Sequence, residues 1–146
     1  QGMRLFTIGF TKKTAEQFFE SLKRNGVKKL MDIRLNNKSQ LAGFAKVPDL
    51  EYFLKISGID YEYLPEFAPD KQLLADYKEK KLGWDDYEKR YLELLKKRGA
   101  EEKIKKLDFD NSCLLCSEAE PDKCHRRVFA EFVKDNLKGV DVIHIK

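Results

Sequence analysis

The first quarter of the chain reads strand, helix, strand, and that order restricts the folds open to everything after it. Arg4-Leu5-Phe6-Thr7-Ile8 is apolar, β-branched and aromatic without a helical period, which suits a buried strand. Gly9 breaks it, and the Thr14-x-x-Gln17 spacing is a capping box ahead of Phe18, Phe19 and Leu22. Asn25-Gly26 is a stop signal for that helix. Val27 to Ile33 supplies a second strand with Asp32 and Arg34 at its end. Two strands joined through a helix at this spacing lie parallel in a right-handed crossover.

The rest of the chain continues the alternation. Pro48-Asp49 opens a helix through Leu50, Phe53, Leu54 and Ile56 that closes at Gly58, and Asp60 to Leu64 is a short strand. Residues 67–99 read as helical and charge-laced, with Tyr87, Tyr91, Leu94 and Leu95 on one face and Tyr77 and Trp84 packed beneath. Residues 101–107 add a helical turn or two, and Ser112 to Cys116 is an apolar central strand. A helix from roughly Asp122 to Leu137 presents Val128, Phe129, Phe132 and Val133, and Val140 to Ile145 is the last strand. The expectation is an α/β fold: a single domain over residues 3–146, about five largely parallel strands, helices on both faces. Gln1-Gly2 reads as a purification-tag remnant and is set aside.

Composition narrows the class. Hydrophobic content of 42 %, with ten Phe and six Tyr, is ample for a core. No apolar run approaches the roughly 18 residues that span a bilayer, and no signal peptide precedes Met3, so a cytoplasmic protein without a membrane partner is expected. The net charge of +4, from 29 basic and 25 acidic residues, gives only weak support for nucleic acid as a partner. Nothing in the sequence fixes an oligomeric state. Three cysteines, an odd number in a chain of this kind, argue against a disulfide scaffold. A charged content of 37 % rich in Lys and Glu leans towards a heat-adapted source, which leaves one structural disulfide open.

Chemistry-bearing residues fall after three of the strands. Thr7, Gly9 and Thr11 follow the first; Asp32 and Arg34 the second, with Asn36 and Ser39 beyond; Cys116 and Glu118 the central one, with Cys124, His125 and Arg126 at the next helix start. A parallel sheet gathers these sets on one edge, where open α/β sheets bind ligands. Each also has a plain structural reading. Asp32 and Arg34 can pair with each other, and Cys116 can be a small core residue. Cys113 sits an odd number of positions before Cys116, so it faces the other way and reads as core. Cys124-His125-Arg126 at a helix start suits anion binding or a thiol of lowered pKa.

Several classes are disfavoured. Cys113 and Cys116 lie within a strand, and the adjacent Cys124 and His125 are expected to diverge, so no metal site is expected. No Walker loop, dinucleotide fingerprint or nucleophile elbow is present, and no cofactor is predicted. The acidic run Glu118, Glu120, Asp122 argues against a phosphatase-like loop.

Three blocks together resemble the "domain of unknown function 488" family: Thr7-Ile8-Gly9-Phe10-Thr11, Asp32-Ile33-Arg34, and Leu114-Leu115-Cys116-x-Glu118-x-x-Pro121-x-x-Cys124-His125-Arg126. Gly58-Ile59-x-Tyr61 is similar to the family's middle, and residues 32–44 resemble one branch of it. The resemblance implies a compact α/β domain with these motifs gathered at one end. It brings no established reaction.

Three functions compete. The first is an enzyme acting on a small anionic or nucleotide-like substrate, a hydrolase or transferase. In it Thr11, Arg34, Asn36, Ser39 and Arg126 bind, Asp32 or Glu118 is the base or nucleophile, and His125 and Cys124 assist. The second is thiol redox chemistry through Cys116 and Cys124. The third is a non-enzymatic ligand or nucleic-acid binding module.

Overall fold

A computed structural model describes residues 2–38, 43–116 and 124–146. Among the described residues five strands form one sheet: β1 (Met3–Gly9), β2 (Lys29–Asp32), β3 (Asp60–Tyr63), β4 (Ser112–Cys116) and β5 (Val140–His144). Their order is β3-β2-β4-β1-β5, and every neighbouring pair is parallel. The α/β class with a parallel sheet is therefore what the chain adopts.

Six α-helices connect the strands among the described residues: α1 (Ala15–Arg24), α2 (Asp49–Ile56), α3 (Lys71–Lys78), α4 (Trp84–Lys97), α5 (Ala100–Lys103) and α6 (His125–Asn136). α1 begins at the expected capping box, with Thr14 Oγ1 accepting from Gln17 N and Gln17 Oε1 accepting from Thr14 N. Gly26, at φ 71°, turns the chain out of it in a conformation that costs glycine little. The stretch read as helical over 67–99 is divided into two helices. Asp70 caps α3 by accepting from Leu73 N. Lys80 adopts φ 62° and Gly83 is the extended N-cap of α4, so the helix stops and restarts. Leu92, rather than Leu94, joins Tyr87, Tyr91 and Leu95 on the inner face.

The order of connections sorts the helices onto two layers. The connections β1→β2 and β2→β3 run one way across the sheet, while β3→β4 and β4→β5 run the other way. Right-handed crossovers then place α1 and α2 on one face and α3 to α6 on the opposite one. The packing agrees. Phe18, Leu22, Leu50 and Leu54 meet Phe6, Ile8, Leu30, Cys113 and Leu115, whereas Tyr91, Leu95, Phe129 and Val133 meet Leu5, Met31 and Leu114. Each fully buried aromatic or leucine side chain stabilises by about 1.5–3 kcal/mol relative to exposure. Cys113 packs with the α1–α2 layer, as its odd spacing from Cys116 requires.

One strand is placed unlike the others. β4 lies between β1 and β2, whose chains both depart towards the α1–α2 layer, whereas β4 itself leads to α6 on the other face. Its carboxyl end is thus a topological switch point on both sides, where open α/β sheets form a crevice. Register puts Gly9 opposite Cys116 and Asp32 opposite Leu115, so the three motif sets share one rim.

Candidate functional site

Cys116 ends β4 and Cys124 is the N-cap of α6, and their sulfurs are joined in a disulfide. Both residues are buried. Arg126, the second residue of α6, is 0 % exposed and aims inward at this pair. Its Nη1 donates towards Cys116 Sγ at 3.3 Å and Cys124 Sγ at 3.9 Å, and its Nε donates to Thr7 Oγ1 at 3.3 Å. A buried guanidinium is tolerable only with its donors engaged, and its planar fork lets one side chain serve several acceptors. Thr7 Oγ1 also meets His144 Nδ1 at 2.6 Å across the β1–β5 pair. Burial lowers the His144 pKa, and Arg126 nearby acts in the same direction.

His125 is turned towards the end of β2. Its Nε2 lies 2.9 Å from the Ile33 carbonyl, an acceptor only, so Nε2 carries the proton and donates. Its ring meets Tyr91 edge-on, with centroids 5.9 Å apart. Burial lowers its pKa to about 4, and the Ile33 carbonyl opposes that shift only in part. The imidazole is therefore neutral at neutral pH.

A second cluster stands beside the first, on the chain flanking Ile33. Asp32 is 0 % exposed and Arg34 4 % exposed, and they form a fork: Nε to Oδ1 at 2.8 Å and Nη2 to Oδ2 at 2.7 Å. The Arg34 amide also donates to Oδ1, and Nη1 donates to the Ala45 carbonyl. Tyr61 on β3 donates its hydroxyl to Asp32 Oδ2 at 2.6 Å and accepts from Asn37 Nδ2 at 3.0 Å. Burial, followed by Asp32, raises the Tyr61 pKa. The guanidinium of Arg34 lies over the Phe10 ring, 5.6 Å from its centroid.

The rim thus assembles Cys116, Cys124, His125, Arg126 and Thr7 in one group, and Asp32 and Arg34 in the next. Thr11 and Asn36 are exposed at its edge. Asn36 Oδ1 accepts from the Lys38 amide in a local turn, and Thr11 lines a groove with Lys13, Gln17 and Lys146. Ser39 and Glu118 lie outside the described residues, as does the rest of the acidic run. Tyr61 and Asn37 are the members that sequence reasoning missed. Tyr61 stood in view in the middle motif, but no spacing rule ties an edge-strand tyrosine to a carboxylate on the neighbouring strand.

One expectation needs correction. The neighbouring side chains of Cys124 and His125 do not diverge: a donor atom from each of Cys116, Cys124 and His125 lies within 4.8 Å of the others. The reason is the backbone. Cys124 is extended at φ −141°, ψ 141°, and His125 is the first helical residue, so the change of conformation between them swings the two side chains to one side. Chemically the group is a disulfide, an imidazole with a defined tautomer and a fixed positive charge.

The family described as "Domain of unknown function DUF488" matches residues 14–133. No curated protein and no solved structure matches the chain at a significant level.

Proposed function

Because the chain belongs to the DUF488 family, which is defined by a domain of unknown function, we propose a function from the site itself: thiol–disulfide exchange through Cys116 and Cys124. The observation that carries this reading is Arg126, a fully buried cation whose Nη1 is directed at both sulfurs. A guanidinium so placed favours a thiolate over a thiol, and a stabilised thiolate is both the nucleophile and the leaving group of exchange. The switch-point position adds the usual location of ligand sites in this architecture.

The step balances with a small thiol as co-reactant. Its thiolate attacks Cys124 Sγ and the S–S bond breaks. Cys116 leaves as a thiolate held by Arg126, the nearer of the two sulfurs to that cation. A second molecule of thiol resolves the mixed disulfide and releases the external disulfide, after which both cysteines are reduced. In reverse, the Cys116 thiolate attacks an oxidised partner. His125, with Nε2 held by Ile33, orients this group rather than supplying a proton at neutral pH.

The alternative of a small anionic or nucleotide-like substrate drew on Arg34 and Arg126. Arg34 gives Nε and Nη2 to Asp32 and Nη1 to Ala45, and Asp32 accepts from Arg34 and Tyr61, so this pair favours a strut over an anion clamp or a base.

Equilibrating the native chain with defined ratios of reduced and oxidised glutathione, then counting thiols, tests the proposal. Two thiols appearing together in one transition, and lost in Cys116→Ser and Cys124→Ser, support exchange. A pair that stays free and unreactive, or a bond that no thiol opens in the folded chain, refutes it.

A further inference from the structure

We propose that the reduced form of this site holds one thiophilic metal ion of the zinc class, with Cys116 Sγ, Cys124 Sγ and the His125 imidazole as its protein ligands. The inference rests on the exchange reading only in requiring that the two cysteines be free at some time.

Geometry is the first support. Around a tetrahedral zinc with bonds of about 2.0–2.3 Å, neighbouring ligand atoms stand about 3.5–3.8 Å apart. Here the three donor atoms lie within 4.8 Å of one another, so once the S–S bond is reduced, side-chain rotations that part the two sulfurs can set all three donors around one ion. The donors come from two ends of rigid elements, β4 and α6, and not from a mobile surface turn.

The surroundings are the second support. A metal-binding histidine characteristically gives its other ring N–H to a carbonyl, which fixes tautomer and orientation. His125 Nε2 does this with Ile33 O, leaving Nδ1 as the lone-pair atom of the ring. Arg126 supplies N–H donors to the sulfurs, the outer hydrogen bonds that metal-ligating groups characteristically receive. Two thiolates and one imidazole are the donor set that suits zinc over magnesium or calcium. Three protein ligands leave a fourth position open, the arrangement of zinc sites that bind water or substrate.

The two states of the site exclude each other. An added dithiol reduces the disulfide to two thiols with two electrons and two protons and closes to its own disulfide. A phosphine instead gives the electron pair and becomes its oxide, the oxygen and both protons coming from water. Zinc then replaces those two protons. Oxidation by an external disulfide reverses the sequence: the S–S bond re-forms and the ion leaves. The site would couple thiol oxidation to metal release.

Full-length protein kept under phosphine from lysis onward is titrated with Co²⁺, and then with Zn²⁺ against a chromophoric chelator. The expected result is one equivalent bound, with tetrahedral ligand-field bands and sulfur-to-cobalt charge transfer, displaced by zinc. Oxidised wild type should bind none, a comparison that needs no substitution. Cys116→Ser and Cys124→Ser should each lose charge-transfer intensity, and His125→Ala should weaken zinc by at least about 10–100-fold, the loss typical even of outer-sphere changes. Cys113→Ala, on the other face of the sheet, should leave binding unchanged. Absence of charge transfer and of zinc competition in the reduced wild type overturns the proposal, as does a loss in Cys113→Ala equal to that in Cys116→Ser. Glutathione equilibration of the metal-free protein is read separately, so failure of exchange and failure of metal binding are distinct results.

Discussion

Asp32→Asn tests whether the carboxylate at the end of β2 is a strut or a base. Asp32 accepts four hydrogen bonds: from Arg34 N at 3.2 Å, Nε at 2.8 Å and Nη2 at 2.7 Å, and from the Tyr61 hydroxyl at 2.6 Å. An asparagine can keep the two on Oδ1. Its amide NH₂ then faces two donors, Arg34 Nη2 and Tyr61 Oη, and the guanidinium loses its counter-charge at 4 % exposure. Breaking a buried pair from one side costs about 3–5 kcal/mol, because the remaining charge stays in a dry place. At about 2–4 °C per kcal/mol for a chain of this size, the melting temperature falls by roughly 10 °C. Urea unfolding followed by circular dichroism measures the loss of stability, and thermal unfolding measures the fall in melting temperature. The double variant Asp32→Leu, Arg34→Met removes both charges, so it should cost less than the sum of the single changes. If Asp32→Asn costs under about 1 kcal/mol, or if the double change is additive, the carboxylate is not the strut described here.

Tyr61→Phe removes the hydroxyl between Asp32 and Asn37 and should cost about 1–3 kcal/mol in the same assay. The raised Tyr61 pKa also sets a pH dependence: its stabilisation is complete below about 10, the unfolded value, and is lost as the pH rises through the higher folded one. The phenylalanine variant should therefore show a shallower alkaline loss of stability. Reducing the Cys116–Cys124 bond, which spans a sequence separation of 8, should lower metal-free stability by about 2–3 kcal/mol. That shift is read as the difference in urea midpoint with and without phosphine, and it should vanish in Cys116→Ser. Thr14→Ala deletes one side of the capping box and should cost about 1 kcal/mol, with amide exchange rising mainly in the first turn of α1.

Much of the architecture was readable in one dimension because its causes are local. The capping box at Thr14 and Gln17, the glycine at 26 and the apolar run 112–116 each specify an element through neighbours within a few residues. The parallel crossover follows from the handedness of short connections. Where the reading slipped, a local detail lost to a longer-range one. Residues 67–99 have helical composition throughout, yet Lys80 and Gly83 break the run so that α3 and α4 can pack as separate pieces against the same layer.

The candidate site divides in the same way. The sequence by itself determined that Thr7, Asp32, Arg34, Cys116, Cys124, His125 and Arg126 would share one rim, because a parallel sheet sends every strand's carboxyl end to the same side. It also settled that Cys113 turns away from Cys116, since strand side chains alternate. Which groups on that rim touch was decided only in three dimensions. The strand order put β4 between β1 and β2, so Arg126 met Thr7 and both sulfurs, and His125 reached across to Ile33. The tilt of one extended residue, Cys124, before a helix brought a histidine beside two cysteines. Pairing across strands depends on sheet order and backbone angle at a junction, and neither leaves a periodic trace in the chain.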